Sequence, residues 1–160
     1  MKEQGADFCV LFYNPNIFPE SEYQKRLAEQ IKLCEQMGVK YVVGEYDCAA
    51  WAQCIKGLED EPERGCRCAA CFKHRIAWGA RYARANGYDA IATVFGVSKH
   101  KDQAQVDAAA KNIGIEYISV DWDEDLRQKT VTNLRQGSGG QEKAGFYHQN
   151  YCGCEFSMKK

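Results

Sequence analysis

Nine cysteines are the residues of this 160-residue chain best able to do chemistry, and they are unevenly spaced. Cys66, Cys68 and Cys71 crowd into "CRCAAC", Cys152 and Cys154 flank a glycine with six residues left after them, and Cys9, Cys34, Cys48 and Cys54 stand apart. Cys68 and Cys71 have the Cys-x-x-Cys spacing and fall at the start of a long helical pattern, where backbone amides and the helix dipole favour thiolate over thiol. Cys152 and Cys154 form a second close pair. Four thiolates in two close pairs suit a tetrahedral zinc ion or an iron–sulfur cluster. The 80 residues between Cys71 and Cys152 are long for a zinc ribbon.

Cys152 and Cys154 also have a reading of their own. Residues two apart bring their Cα atoms within about 5.5–6.8 Å when the chain bends, which is inside disulfide range, and Gly153 permits the bend. The ring so formed is small and strained, and a strained disulfide is readily reduced. Such a pair is better suited to carrying electrons than to stapling a fold; the alternative is two inert tail thiols. Cys9, Cys34, Cys48 and Cys54 fall in or beside apolar elements and read as small buried hydrophobes. Cys48 is the exception to watch, because it follows the C-terminal end of a strand, the edge where open α/β sheets gather ligands.

The elements that must position these thiols alternate. "FCVLFYNP" is a short buried strand stopped by Asn14 and Pro15. A helix follows Pro19, with Tyr23, Leu27, Ile31 and Cys34 about four apart and Gly38 ending it. "VKYVVGE" is a second strand, and "YDCAAWAQCIKG" a short helix with Asp47 at its N-cap. After the acidic loop "GLEDEPERG", "AACFKHRIAWGARYARANG" is an amphipathic helix with Phe72, Ile76, Ala80 and Ala83 on one face and Gly87 as its C-cap. A third strand lies in "YDAIATVF", a helix spans about Lys101 to Ile113 with Gly114 after it, and "IEYISV" is a fourth strand. This order predicts an α/β fold, a parallel sheet flanked by helices. One domain is expected over 1–160: a sheet core over 1–120, then a polar linker containing "GSGG" and a Cys-rich tail over 121–160.

Composition bounds the rest. Apolar residues make up 45% and charged residues 27%, ordinary for a globular protein, and the net charge of −1 announces no global basic field. No apolar run approaches the roughly 20 residues of a membrane helix. An odd cysteine count and an N-terminus without an apolar signal region argue against a secreted disulfide framework and point to the cytoplasm.

At "FYNPNIFPESEYQKRL", "GLEDEPERG", "CAACFKHRIAWGARYARANGYDAIATVFGVSKHK" and "YHQNYCGCEFS" the sequence resembles the cobalamin-independent epoxyqueuosine reductases, the QueH type. These stretches cover most of the chain in the family's order, and the aromatic-rich lead into Cys-Gly-Cys is the most specific. The resemblance implies a Rossmann-like fold of the adenine nucleotide alpha hydrolase kind. It implies an iron–sulfur enzyme that removes an epoxide oxygen from epoxyqueuosine in tRNA, the last step of queuosine formation. Carried over by position, Cys68 and Cys71 are two ligands of a [4Fe–4S] cluster, and Cys152 and Cys154 are a redox-active disulfide. A second, mononuclear iron is a further cofactor reading.

The family opens with an additional strand and two adjacent cysteines that complete the cluster. This chain has no adjacent cysteine pair, and its residue 7 aligns with the family's second strand. The expectation is a sheet lacking its first strand, with Cys66 and Cys48 as substitute ligands and weak or absent cluster binding by this chain alone. The family's monomeric state is expected, with association through the uncovered sheet edge as the alternative.

The chemistry agrees with the resemblance. Deoxygenating an epoxide takes two electrons, which a dithiol stores and a cluster passes singly. The leaving oxygen needs a Lewis acid or proton donor, for which Asp47 and Tyr151 are the candidates, against the plainer readings of helix cap and packed aromatic. Arg67 and Arg75 near the proposed cluster, and Lys99 and Lys101 after a strand end, are candidate phosphate contacts for tRNA, or a solvated helix face. The electron donor is unidentified. Two competing functions remain: a non-catalytic zinc module on Cys68, Cys71, Cys152 and Cys154, and a metal-free thiol–disulfide oxidoreductase.

Overall fold

The computed structural model describes residues 7–98, 100–136, 147, 149–158. Its contacts divide the chain into two compact units, Met1–Gln53 with Tyr147–Lys160, and Cys54–Phe146.

In the first unit, β1 (Cys9–Phe12) leads through α1 (Glu20–Met37) to β2 (Lys40–Val43). The strands pair in parallel, with Cys9 opposite Lys40 and Phe12 opposite Val43, and α1 is the crossover that a parallel pair requires. The helix ends where its pattern ends: Gly38 adopts φ 59°, and its N–H bonds back to the carbonyls of Cys34 and Glu35. Phe12, Ile17 and Tyr23 form the buried cluster, with Leu27 and Tyr46 packed on it. The Phe12 and Tyr23 rings meet edge to face at 5.4 Å. The short α2 (Cys48–Cys54) follows, its Ala50 N–H donating to Asp47 Oδ1 at 2.8 Å.

In the second unit, α3 (Cys66–Ala85) starts three residues before the stretch predicted from Ala69. β3 (Ala90–Ala92), a short 3-10 turn (Phe95–Val97), α4 (Gln103–Ala109) and β4 (Glu116–Ile118) follow. β3 and β4 pair in parallel, with Ala90 opposite Glu116. The core joins Phe72 and Ile76 of α3 to Val106 and Ala110, with Ile91, Phe95 and Tyr117 packed against it.

Two features differ from expectation. Among the described residues the four strands form two parallel pairs, β1 with β2 and β3 with β4. The strands are three or four residues long, and hydrophobic alternation that brief does not specify which strands become neighbours. The polar stretch predicted as linker also contains a helix, α5 (Glu124–Gln136). Asp123 caps it, accepting the Leu126 N–H at 2.7 Å, and Arg127 Nε anchors it to the Gly96 carbonyl at 3.0 Å. Among the described residues no helix is long and apolar enough to cross a membrane.

Candidate functional site

The Cys-Gly-Cys segment is docked on its unit by contacts to α1 and to the loop before it. Phe18 N–H donates to the Gly153 carbonyl at 2.8 Å. Arg26 is buried, and its guanidinium donates to the Tyr151 carbonyl at 3.0 Å and the Cys152 carbonyl at 3.2 Å. The same guanidinium pairs with Glu22 Oε1 at 2.7 Å, one helical turn back, where both side chains are more than nine-tenths buried. The second Glu22 oxygen accepts the Tyr147 hydroxyl at 2.8 Å. Burial alone would raise the Glu22 carboxyl. The hydrogen bonds from Tyr147 and Arg26 and the charges of Arg26 and Lys25 outweigh it, so the carboxyl sits below its ordinary value and is ionised at neutral pH.

Gly153 is required at its position on two counts. Its φ is +108°, and a Cβ there would lie 2.9 Å from Ile17 Cγ1 and 3.0 Å from Arg26 Nη1. Gly153→Ala is therefore expected to cost about 1–3 kcal/mol and to lift the tail from Arg26. Faster proteolytic nicking between Tyr147 and Phe156 in the variant would show this; an unchanged cleavage rate would contradict it.

Neither Cys152 nor Cys154 is in a disulfide. Cys154 is buried and Cys152 half-buried, and the Ser157 hydroxyl links them. It lies 3.1 Å from Cys152 Sγ and donates to the Cys154 carbonyl at 2.7 Å. Phe156, next along, stacks on Trp51. The dithiol is thus held by backbone contacts on one side and by a hydroxyl on the other.

Two neighbouring candidates have partners of their own. The Tyr151 hydroxyl donates to the Phe18 carbonyl, and its ring lies under Arg26, 5.1 Å from centroid to guanidinium. Burial first, then the Glu22 charge, hold its phenol above the ordinary value. Asp47 is the N-cap of α2. Cys48 is half-buried beside Tyr46, whose phenol is pushed up by burial and then by its contact with that thiol.

In the second unit, Cys68 and Cys71 are the third and sixth residues of α3. Cys71 is buried and Cys68 half-buried. The loop "GLEDEPERG" folds around the buried Arg67, which donates to the carbonyls of Glu59, at 2.6 Å, and Glu61. Glu61 Oε2 accepts the Cys66 N–H at 3.2 Å, a carboxylate capping the helix start. Arg64, at φ 65°, turns its N–H to Cys68 Sγ at 3.3 Å. Cys66 is exposed. Cys54 donates to the Ala70 carbonyl at 3.4 Å, and burial, then the Cys71 charge, pushes its thiol up. Among the described residues no group of three or more His, Cys, Asp or Glu side chains is arranged to hold a metal ion. A [4Fe–4S] cluster takes four ligands, so this helix start offers part of a ligand set and does not by itself fit the whole cluster.

Of the four candidate phosphate contacts, Arg67 and Arg75 are buried. Arg67 is committed to the loop carbonyls, and Arg75 lies over the Phe95 ring at 4.2 Å. Lys101 approaches the same ring at 4.8 Å. Lys99 lies outside the described residues. Glu22, Arg26 and Tyr147 lie in stretches that carry the family resemblance, but sequence reading assigned them no individual role; the local signal for the pair is the i, i+4 spacing of Glu22 and Arg26.

A docked Cys-Gly-Cys segment and a Cys-x-x-Cys helix start, on short parallel sheets flanked by helices, mark an α/β protein with paired thiols. The family model described as "Epoxyqueuosine reductase QueH" matches residues 1–160, and the chain belongs to the QueH family. Similar proteins include the epoxyqueuosine reductase QueH of Histophilus somni, 38% identical over 97% of this chain and 63% of its own length. The protein of the same name from Haemophilus influenzae is 35% identical over 97% and 63%. That from Acinetobacter baylyi is 34% identical over 97% and 71%. The chain thus spans under two thirds of the length of the first two relatives.

Proposed function

We propose that this chain acts as a cytoplasmic oxidoreductase reducing epoxyqueuosine to queuosine in tRNA. Family membership over residues 1–160 supports the reading. The observation that carries it is the fixed dithiol: a tail segment whose backbone is bound by Phe18 and a buried Arg26, holding two cysteines that are both in the thiol form. An inert tail has no need of a buried ion pair to hold it.

The balance closes on these two side chains. Converting the epoxide to an alkene breaks both C–O bonds, consumes two electrons and two protons, and releases water. Cys152 and Cys154 passing from dithiol to disulfide form one S–S bond and release two electrons and two protons. An external reductant, the unidentified donor, returns the disulfide to the dithiol. Ser157 Oγ, which donates to the Cys154 carbonyl, is placed 3.1 Å from Cys152 Sγ to accept the hydrogen of its thiol. A [4Fe–4S] cluster, when bound, supplies one-electron transfer; Cys68 and Cys71 are the proposed thiolates for it, the remaining ligands lying outside that pair.

Anaerobic purification with iron and sulfide, followed by incubation with tRNA carrying epoxyqueuosine and mass spectrometry of its nucleosides, tests the reading. Queuosine is expected with at most a weak brown colour, because Cys68 and Cys71 supply only part of a cluster's ligands. A colourless protein with one zinc per chain and no product would replace the reading with a zinc module. A metal-free protein that cycles a disulfide and leaves the epoxide intact would replace it with a thiol–disulfide oxidoreductase.

A further inference from the structure

α3 has an unusual charge balance: its twenty residues include Arg67, Lys73, Arg75, Arg81 and Arg84 and no Asp or Glu. An ordinary solvated helix face carries both signs and stabilises itself by i, i+4 pairs. Arg67 and Arg75 are buried, which leaves Lys73, Arg81 and Arg84 exposed. With Ala77 they stand at i, i+4, i+8 and i+11, one stripe of the helix.

This stripe walls a cavity of about 350 Å³ whose other side is the turn after α4, including Lys111 and Gly114. Four cations line it and no carboxylate does. The ion pairs among the described residues are Arg26–Glu22 and Lys40–Asp7, so none of the four cations has a described carboxylate within 4.0 Å. Gly114, at φ +74°, leaves space for Arg84, whose Nη1 lies 2.4 Å from where a Cβ would be. Ala77 is the small residue between Lys73 and Arg81. Like charges gathered around one concavity repel each other, and a bound anion removes that cost.

We infer that Lys73, Arg81, Arg84 and Lys111 form a binding site for the phosphodiester backbone of RNA. Two features favour a nucleic-acid strand over a lone phosphate ion. The stripe runs eleven residues, about 16 Å along the helix axis, longer than one phosphate needs. Trp78 and Tyr82, each one position on from Ala77 and Arg81, stack nearly parallel at 5.8 Å and add an aromatic surface to the same helix. The inference rests on tRNA being the substrate, and it gives the backbone contacts to residues other than the buried Arg67 and Arg75.

The test is equilibrium binding of an unmodified tRNA transcript to the full chain across a series of KCl concentrations. The fourfold variant Lys73→Gln, Arg81→Gln, Arg84→Gln, Lys111→Gln is compared with a control that removes the same charge elsewhere, Lys32→Gln, Lys40→Gln, Lys56→Gln, Lys129→Gln. Each lost phosphate contact lowers the slope of log K against log salt by about 0.9. The fourfold variant is expected to lose about 2–4 from the slope and at least about 30-fold in affinity at low salt, while the control loses less than about 1. All four positions are exposed, so unchanged circular dichroism and thermal midpoint serve as the folding check.

Equal slopes for the two variants, or a wild-type chain that does not bind the transcript, overturn the inference. So does tripolyphosphate binding that the variant loses while it keeps RNA binding, which would mark a small phosphate ligand. Queuosine formation is assayed separately, so failure of the RNA site and failure of the proposed reaction are distinguishable.

Discussion

Cys154→Ser is expected to lower epoxyqueuosine reduction by about 10³-fold or more, to the background of the assay, and Cys152→Ser to do the same. Serine keeps the size and much of the polarity of cysteine but cannot form the S–S bond that releases the electron pair. Two residues acting as one unit lose nearly everything when either is removed, so the double variant should be no worse than each single one. Cys154 is buried and Cys152 half-buried, and a shift of a few degrees in thermal midpoint is the most that this exchange should cause. Cys9→Ser, in β1, is the matched control and should keep activity. Product formation by either tail variant at near wild-type rate would remove the pair from the reaction.

The second large effect concerns Arg26. Arg26→Met leaves Glu22 ionised and buried without its cation, and leaves the carbonyls of Tyr151 and Cys152 without their donor. Removing one partner of a buried pair costs about 3–5 kcal/mol, because the other charge stays behind uncompensated. That is a large part of the stability of an ordinary domain, so a marked fall in the urea midpoint is expected. Tail release should appear with it, as a change in Trp51 emission when Phe156 leaves its face. Arg26→Met combined with Glu22→Gln should recover part of the loss, since it removes the stranded charge. Arg26→Lys keeps the charge but not the fork that reaches two carbonyls and a carboxylate, and should fall between. A single Arg26→Met variant within about 0.5 kcal/mol of the parent would show that the pair does not hold the tail.

The helices were the legible part of this sequence. Tyr23, Leu27, Ile31 and Cys34 with Gly38 after them predicted α1, and the structure ends that helix at Met37 with Gly38 in the left-handed region. α3 was equally plain, because Phe72, Ile76, Ala80 and Ala83 mark its buried face. α5 was not, since its residues are mostly polar and nearly all its local signal is the Asp123 cap. Which strands pair could not be read from runs of three or four residues. The tail clamp was hidden for a different reason. Arg26 and Tyr151 are separated by 125 residues, and no local pattern in one sequence records such a contact. Gly153 was read as a hinge for a bend; its closeness to Ile17 and Arg26 is a packing fact beyond local reading. Charge was the least reliable guide. Arg67 and Arg75 look like phosphate ligands by type and position, yet both are buried, because a guanidinium can satisfy carbonyls or lie on a ring as readily as it meets an anion.

The most direct test of the central claim, that Cys152 and Cys154 are the two-electron store, is a single turnover without added reductant. The fully reduced chain is mixed anaerobically with tRNA carrying epoxyqueuosine, quenched with an alkylating agent, and analysed for queuosine and for the Cys152–Cys154 disulfide together. One disulfide for each queuosine formed is the predicted result. Queuosine appearing while both thiols remain alkylatable would contradict it.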